Sequence, residues 1–345
     1  MCDKERPMSM LFKFSKVIPI LVIATVFSIG PNIHAKELRI GLVLDKGGKD
    51  DKSFNASAYE GLMKVKKDFH ATVKYVEATD DNSFEPLLRS FAQKNYDLII
   101  AIGVSQVDAV KKVAGQFPQQ HFSIVDGEAV APNVRSLLFE EHEGSFLVGA
   151  IAAQTSKTGK VGFIGGMDIP LIRRFAMGFE AGAKAVNPSV KVISNYIGIS
   201  ADAWNNPAKA KELAITQYNS GVDVIFSAAG ASGGGLFDAA EEKKKFAIGV
   251  DSNQNWVKPG YILTSMVKRI DQAVYDSCKD LTENRFSAGT QRFGLASKWV
   301  GYSVDSFNEA LLSPAVRKRT QDFEAKIISG KLVVPDYYKS SKAKK

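Results

Sequence analysis

The chain has 345 residues, 45% of them hydrophobic and 24% charged, which is long enough for two domains with real cores. Its net charge of +8 suits anionic surfaces such as a membrane. No aromatic-basic platform accompanies that charge, so RNA and DNA binding are without support.

Residues 1–35 read as a leader outside the fold. Lys4, Arg6, Lys13 and Lys16 precede an apolar run over 17–29, and Ile33-His34-Ala35 ends on a small residue. This is the pattern of a secretory signal, with an apolar stretch too short to span a bilayer. An uncleaved anchor is the alternative, and Met8 or Met10 is a possible start. Cys2 precedes the apolar run instead of following it, so no lipid-attachment site is evident and a freely diffusing periplasmic protein is expected. Cleavage leaves Cys278 alone, with no intrachain disulfide possible. That cysteine shares a helical face with Ile270, Val274 and Leu281, the setting of an inert buried thiol. The exported chain keeps 41 basic and 35 acidic residues, a net +6. Part of this excess is a basic tail, 336–345, expected to be disordered.

From Leu38 onward strands alternate with helices. A strand over 38–45 leads through a glycine loop to a helix opened by Ser53-Phe54-Asn55. Then follow a strand at 72–78, a helix at 84–94, strand 98–103, helix 106–116, and strands 121–126 and 134–139. The second half repeats the scheme: helix 145–155, strand 160–165, helix 173–186, strand 190–198, helix 207–219, strand 222–228, helix 236–244, and strands 246–251 and 261–267. A helix at 270–282, a strand near 293–304 and a helix at 315–329 close the chain. Val-, Ile- and Phe-rich strands separated by helices of this length predict α/β architecture with doubly wound parallel sheets in two lobes. The expected lobes are 36–141 with about 268–295, and 142–267 with about 296–335.

Polar residues gather at strand ends: Asp45, Thr79-Asp80, Gly103, Asp126, Gly165-Gly166, Gly198, Gly230 and Asp251. Open α/β sheets bind ligands outside the carboxyl ends of their strands. Glycine there lets backbone approach a ligand, and aspartate accepts hydrogen bonds from hydroxyls or ring N–H groups. Taken singly, each is more readily a turn or cap than a ligand contact. The set predicts a cleft for a small polar molecule with a flat ring.

Catalytic signatures are incomplete. Gly230-Ala231-Ser232-Gly233-Gly234 satisfies G-x-S-x-G between a strand and a helix, but all four histidines, His34, His70, His121 and His142, precede it. The glycine runs lack dinucleotide and P-loop spacing, and no Cys/His cluster has metal-ligand spacing. Asp50-Asp51 reads as a solvated turn, and Glu140-Glu141-His142-Glu143 as a crossing between lobes that only looks like a metal site. No catalytic residue, metal or cofactor is expected.

The string GLVLDKGGKDDKSFNASAYEG (41–61) closely resembles the opening of the basic membrane protein family, substrate-binding proteins that include purine nucleoside receptors of bacterial ABC importers. Further similarity lies in WNNPAK (204–209), AAGASGGG (228–235), IGVDSNQ (248–254) and SMVKR (265–269). The resemblance spans nearly all of the exported chain. It implies the type I periplasmic-binding-protein fold, two α/β lobes joined by three crossings. It also implies a nucleoside ligand, purine preferred, delivered by a monomeric receptor to an inner-membrane ABC permease. Carried over by residue, Phe54 and Trp204 sandwich the base, Asn55 and Asp126 meet its edge, and Asp251 and Lys268 hold the ribose, with Asp45 and the amides around Gly230 nearby. Some family members carry phenylalanine where Trp204 stands. The rival expectations are a sugar or autoinducer receptor of the same fold, a nucleoside hydrolase, and a sensory protein without transport.

Overall fold

The computed structural model describes residues 37–342, so the leader lies outside the described residues. The elements, in order, are β1 (Arg39–Leu44), α1 (Phe54–Phe69), β2 (Thr72–Glu77), α2 (Phe84–Gln93), β3 (Leu98–Ile102), α3 (Val107–Gln116), β4 (His121–Val125), β5 (Val134–Phe139) and α4 (Glu141–Thr155). Then come β6 (Lys160–Met167), α5 (Pro170–Val186), β7 (Lys191–Gly198), α6 (Pro207–Asn219), β8 (Val224–Ala228), α7 (Gly233–Lys243), β9 (Phe246–Asp251) and β10 (Ile262–Lys268). The last are α8 (Ile270–Thr282), β11 (Gly289–Phe293), β12 (Val300–Tyr302), α9 (Pro314–Ile328) and α10 (Tyr337–Lys342).

Two six-stranded sheets result, ordered β11-β5-β4-β3-β1-β2 and β12-β10-β9-β8-β6-β7. Every pairing is parallel except that of β12 with β10. The doubly wound, parallel-dominated α/β fold expected from the sequence is the one observed. Its cause is visible in the strands: β1, β3 and β8 are buried along almost their whole length, whereas edge strand β2 alternates exposed and half-buried residues. Central parallel strands covered on both faces need continuous apolar runs. One apolar cluster lies between the first sheet and α2 and α3, and another between the second sheet and α6 and α7. A third runs along the opposite faces, under α1, α8, α4 and α5.

The chain passes between sheets after β5, after β10 and after β11. These crossings are stitched together: Glu140 N–H donates to Phe293 O at 2.7 Å and Arg269 N–H to Trp299 O at 2.8 Å. The single strand expected at 293–304 is two strands, β11 and β12. Gly294, a tight turn at Leu295–Ser297 and a left-handed Lys298 (φ 60°) break it where it changes sheets.

Two expectations are corrected at the polar ends. Asp51 is not part of a solvated turn: it is 7% exposed and caps α1, accepting from Ser53 N–H at 2.8 Å and from Asn55 and Ala56 N–H at 2.9 Å. Nor are residues 336–342 simply a tail; 343–345 lie outside the described residues. Asp336 is buried against Arg174 at 2.9 Å, and the chain continues as α10.

Candidate ligand cleft

The loop after β1 builds one wall. Asp45 N–H donates to Asn55 Oδ1 at 2.9 Å, and Asn55 Nδ2 donates to Lys46 O at 3.3 Å. Asn55 therefore holds the loop against the start of α1. One N–H and one lone pair of its amide oxygen remain for a ligand. Burial pushes the Asp45 carboxyl up to about 6, opposed by the Lys46 N–H that it accepts. Asp51 is likewise raised to about 6 by burial, against its three backbone donors.

Three charges meet at the cleft floor. Lys268 Nζ lies 2.5 Å from Asp126 Oδ2 and 3.5 Å from Asp251 Oδ1, and all three residues are buried. Asp251 also accepts from Ser53 Oγ at 2.7 Å. Burial opposes the Lys268 charge, but Asp126, Asp251 and Glu141 outweigh it and hold the ammonium above its ordinary range. Burial raises Asp126, with Lys268 pulling against it. Lys268 is no surface lysine: the rings of Phe54, Phe175 and Phe139 surround Nζ at 4.9, 5.4 and 5.5 Å. One acceptor is left over. Asp126 Oδ1 is buried and has no hydrogen-bond partner, a cost that a ligand hydroxyl or N–H would remove.

The opposite wall belongs to the second sheet. Trp204 sits in a tight turn, Ala201–Asn205, with Gly230 at the carboxyl end of β8 facing the Trp204 carbonyl. Gly230 has φ 57°, a conformation that favours glycine. Ser232 ties the two segments: its hydroxyl donates to Ala203 O and accepts from Asn206 N–H, both at 2.7 Å. The serine of the G-x-S-x-G string is thus fully buried and structural. Gly166 also differs from expectation, for its neighbour is the Trp204 indole and not the cleft.

All eight residues singled out from the sequence, Asp45, Phe54, Asn55, Asp126, Trp204, Gly230, Asp251 and Lys268, line one cavity of about 590 Å³, mouth included. Lys46, Asp51, Gly103, Phe175 and Leu171 line it too. Phe175 belongs to the apolar stripe of α5, so sequence gives no sign separating it from core. At the mouth Lys46 Nζ pairs with Asp202 Oδ1 at 3.0 Å across the two lobes. Gln254 Nε2 to Lys52 O at 2.8 Å and Ser252 Oγ to Ser53 O at 2.9 Å add further bridges.

Beside the crossings, Arg174 contacts Glu140, Glu141 at 2.7 Å and Asp336. Glu140, His142 and Asp336 place ligand atoms within 4.8 Å of one another, but the guanidinium already pairs with both carboxylates. Burial, and then Arg174, push His142 down to about 4, while burial lifts Glu141 to about 7.

The chain is similar to several known proteins. A Listeria innocua protein named CD4+ T-cell-stimulating antigen is 36% identical, covering 89% of this chain and 90% of its own. A Lactococcus lactis relative named ABC transporter nucleoside-binding protein BmpA is 33% identical over 87% and 89%. The crystal structure of an Aeropyrum pernix ABC transporter solute-binding protein superposes with a TM-score of 0.79 at 28% identity, over 86% of this chain and 94% of that one. A Pyrococcus abyssi relative, 32% identical over 78% of this chain and 70% of its own, is named an uncharacterized lipoprotein. The expectation of an unanchored protein is therefore not carried forward; it rests on residues outside those described. No helix among the described residues is long and apolar enough to cross a membrane. The model for PnrA-like ABC transporter substrate-binding proteins matches residues 39–337, and the chain belongs to that Bmp family.

Proposed function

We propose that the cleft captures a nucleoside, with purines preferred, and that the protein hands it to an ABC permease from the outer face of the inner membrane. The observation that carries this reading is the pairing of two chemistries in one cavity. Phe54 and Trp204 supply flat apolar faces, while Asp126, Asp251 and Lys268 supply charged hydrogen-bonding groups with one buried acceptor open. Stacking suits a base. A carboxylate gripping vicinal hydroxyls makes charge-assisted bonds, and those suit a ribose. The acids outnumber the bases along the lining, Asp45, Asp51, Asp126 and Asp251 against Lys46 and Lys268, which favours an uncharged ligand over a phosphorylated one. Closure of the lobes over the ligand excludes water and strengthens each polar contact.

The protein is proposed to bind without turnover. Ser232 Oγ has both of its contacts inside the fold, and incubation with inosine should release no free base. Native mass spectrometry of protein purified without denaturation tests the ligand class: a retained nucleoside is expected. A retained hexose or pentose alone would assign the cleft to sugars.

A further inference from the structure

We propose that Gly166 sets the width of the aromatic slot, and so the size of base accepted, by letting the Trp204 indole lie directly on β6. This rests on the nucleoside reading above. A Cβ built on Gly166 would fall within 2.9 Å of Trp204 Cη2 and closer still to Cζ3 and Cε3, well inside contact distance. The six-membered ring of the indole therefore occupies the space that any other residue at 166 would need.

The turn that carries Trp204 is fixed from several sides. Ser232 Oγ clamps Ala203 O and Asn206 N–H at 2.7 Å each. A Cβ on Gly230 would already stand 3.3 Å from Trp204 O, and Lys46 holds Asp202 at 3.0 Å. These contacts restrain the backbone of the turn. The indole lies between β6 and the cavity that it lines, so a side chain at 166 displaces the ring into the slot facing Phe54. A bulky indole at 204 and a bare backbone at 166 form a matched pair. A phenyl ring at 204 would not need the glycine.

The test is a double-mutant cycle of Gly166→Ala and Trp204→Phe, followed by calorimetry with inosine, uridine and ribose and by the emission of the Trp204 indole in ligand-free protein. Gly166→Ala alone is expected to weaken inosine binding at least about tenfold and to shift the Trp204 emission, with ribose affected far less. In the Trp204→Phe background the same alanine should change inosine affinity by no more than about twofold. Equal losses in both backgrounds, or an unaltered Gly166→Ala protein, would overturn the inference. So would failure of both alanine variants to fold; folding of the double variant alone supports it. Should wild-type protein bind none of the three ligands, the nucleoside reading fails, while the emission shift still decides whether Gly166 positions the indole.

Discussion

Asp126 and Asp251 occupy corresponding places in the two sheets and converge on one lysine. Each stands at the carboxyl end of the third strand counted from the edge strand that follows the last crossings, β4 and β9. Each has a left-handed backbone, φ 62° and 64°, uncommon outside glycine and tolerated best by Asp and Asn. The turn aims both carboxylates at Lys268, from opposite lobes. The floor of the cleft is thus a salt-bridged seam: Asp126 reaches Lys268 from the first sheet, while Asp251 and Lys268 stand on neighbouring strands of the second.

That seam predicts unequal costs of substitution. Lys268→Met leaves two carboxylates facing each other in a dry site and should lower stability by about 3–5 kcal/mol. Asp126→Asn keeps the shape and leaves Asp251 to hold the lysine, so it should cost less. Urea unfolding of the two variants measures this; equal losses would mean that the seam is not a unit. Asp126→Asn should also weaken nucleoside binding by about 1.5–3 kcal/mol, the range for a charged hydrogen bond.

The aromatic walls should separate base from sugar. Phe54→Ala and Trp204→Ala are each expected to lose about 1–3 kcal/mol of nucleoside affinity, with ribose binding nearly unchanged. Competition of ribose against a nucleoside in each variant checks it. Loss of both ligands in parallel would place the rings against the pentose instead.

The bridge from Lys46 to Asp202 spans the mouth at its exposed rim. Exposed pairs are weak and screened by salt. Asp202→Asn should speed ligand release by about fivefold at most, and added salt should produce the same change in wild type. A release rate indifferent to both would leave the pair no part in holding the cleft shut.

Stability should depend on pH through Asp45. Its folded value of about 6 lies above the ordinary aspartate value of 3.8, so the folded state holds more protons in that window. Stability therefore rises as pH falls from above 6 toward 4, and the charged form is penalised above 6. Asp45→Asn, which keeps an acceptor for Lys46 N–H, should match wild type near pH 4 and exceed it near pH 8 by up to about 3 kcal/mol. Unfolding curves at the two pH values decide this. His142, depressed to about 4, acts in the opposite sense and cancels in the comparison.

The sequence made the alternation of elements legible because buried parallel strands and amphipathic helices leave different apolar periods. The cleft residues were legible for a related reason: polar groups at strand ends interrupt apolar runs, as Asp45, Asp126 and Asp251 do. What sequence spacing does not carry is pairing over long separations. The burial of Lys268 depends on Asp126, far earlier in the chain, and Asp336 is fixed by Arg174. Asp51 looked like one of a charged pair because a cap on the turn before a helix is recognised only once the N–H groups point at it. Gly166 resembled a ligand-facing glycine because an indole and a ligand demand the same bare backbone.

Titration calorimetry of ligand-free protein with inosine, adenosine, guanosine, uridine and ribose is the most direct test. The account predicts one site per chain, with purine nucleosides tightest, uridine weaker and ribose weakest. Ribose or a hexose binding as tightly as any nucleoside, with Phe54→Ala making no difference, would contradict it.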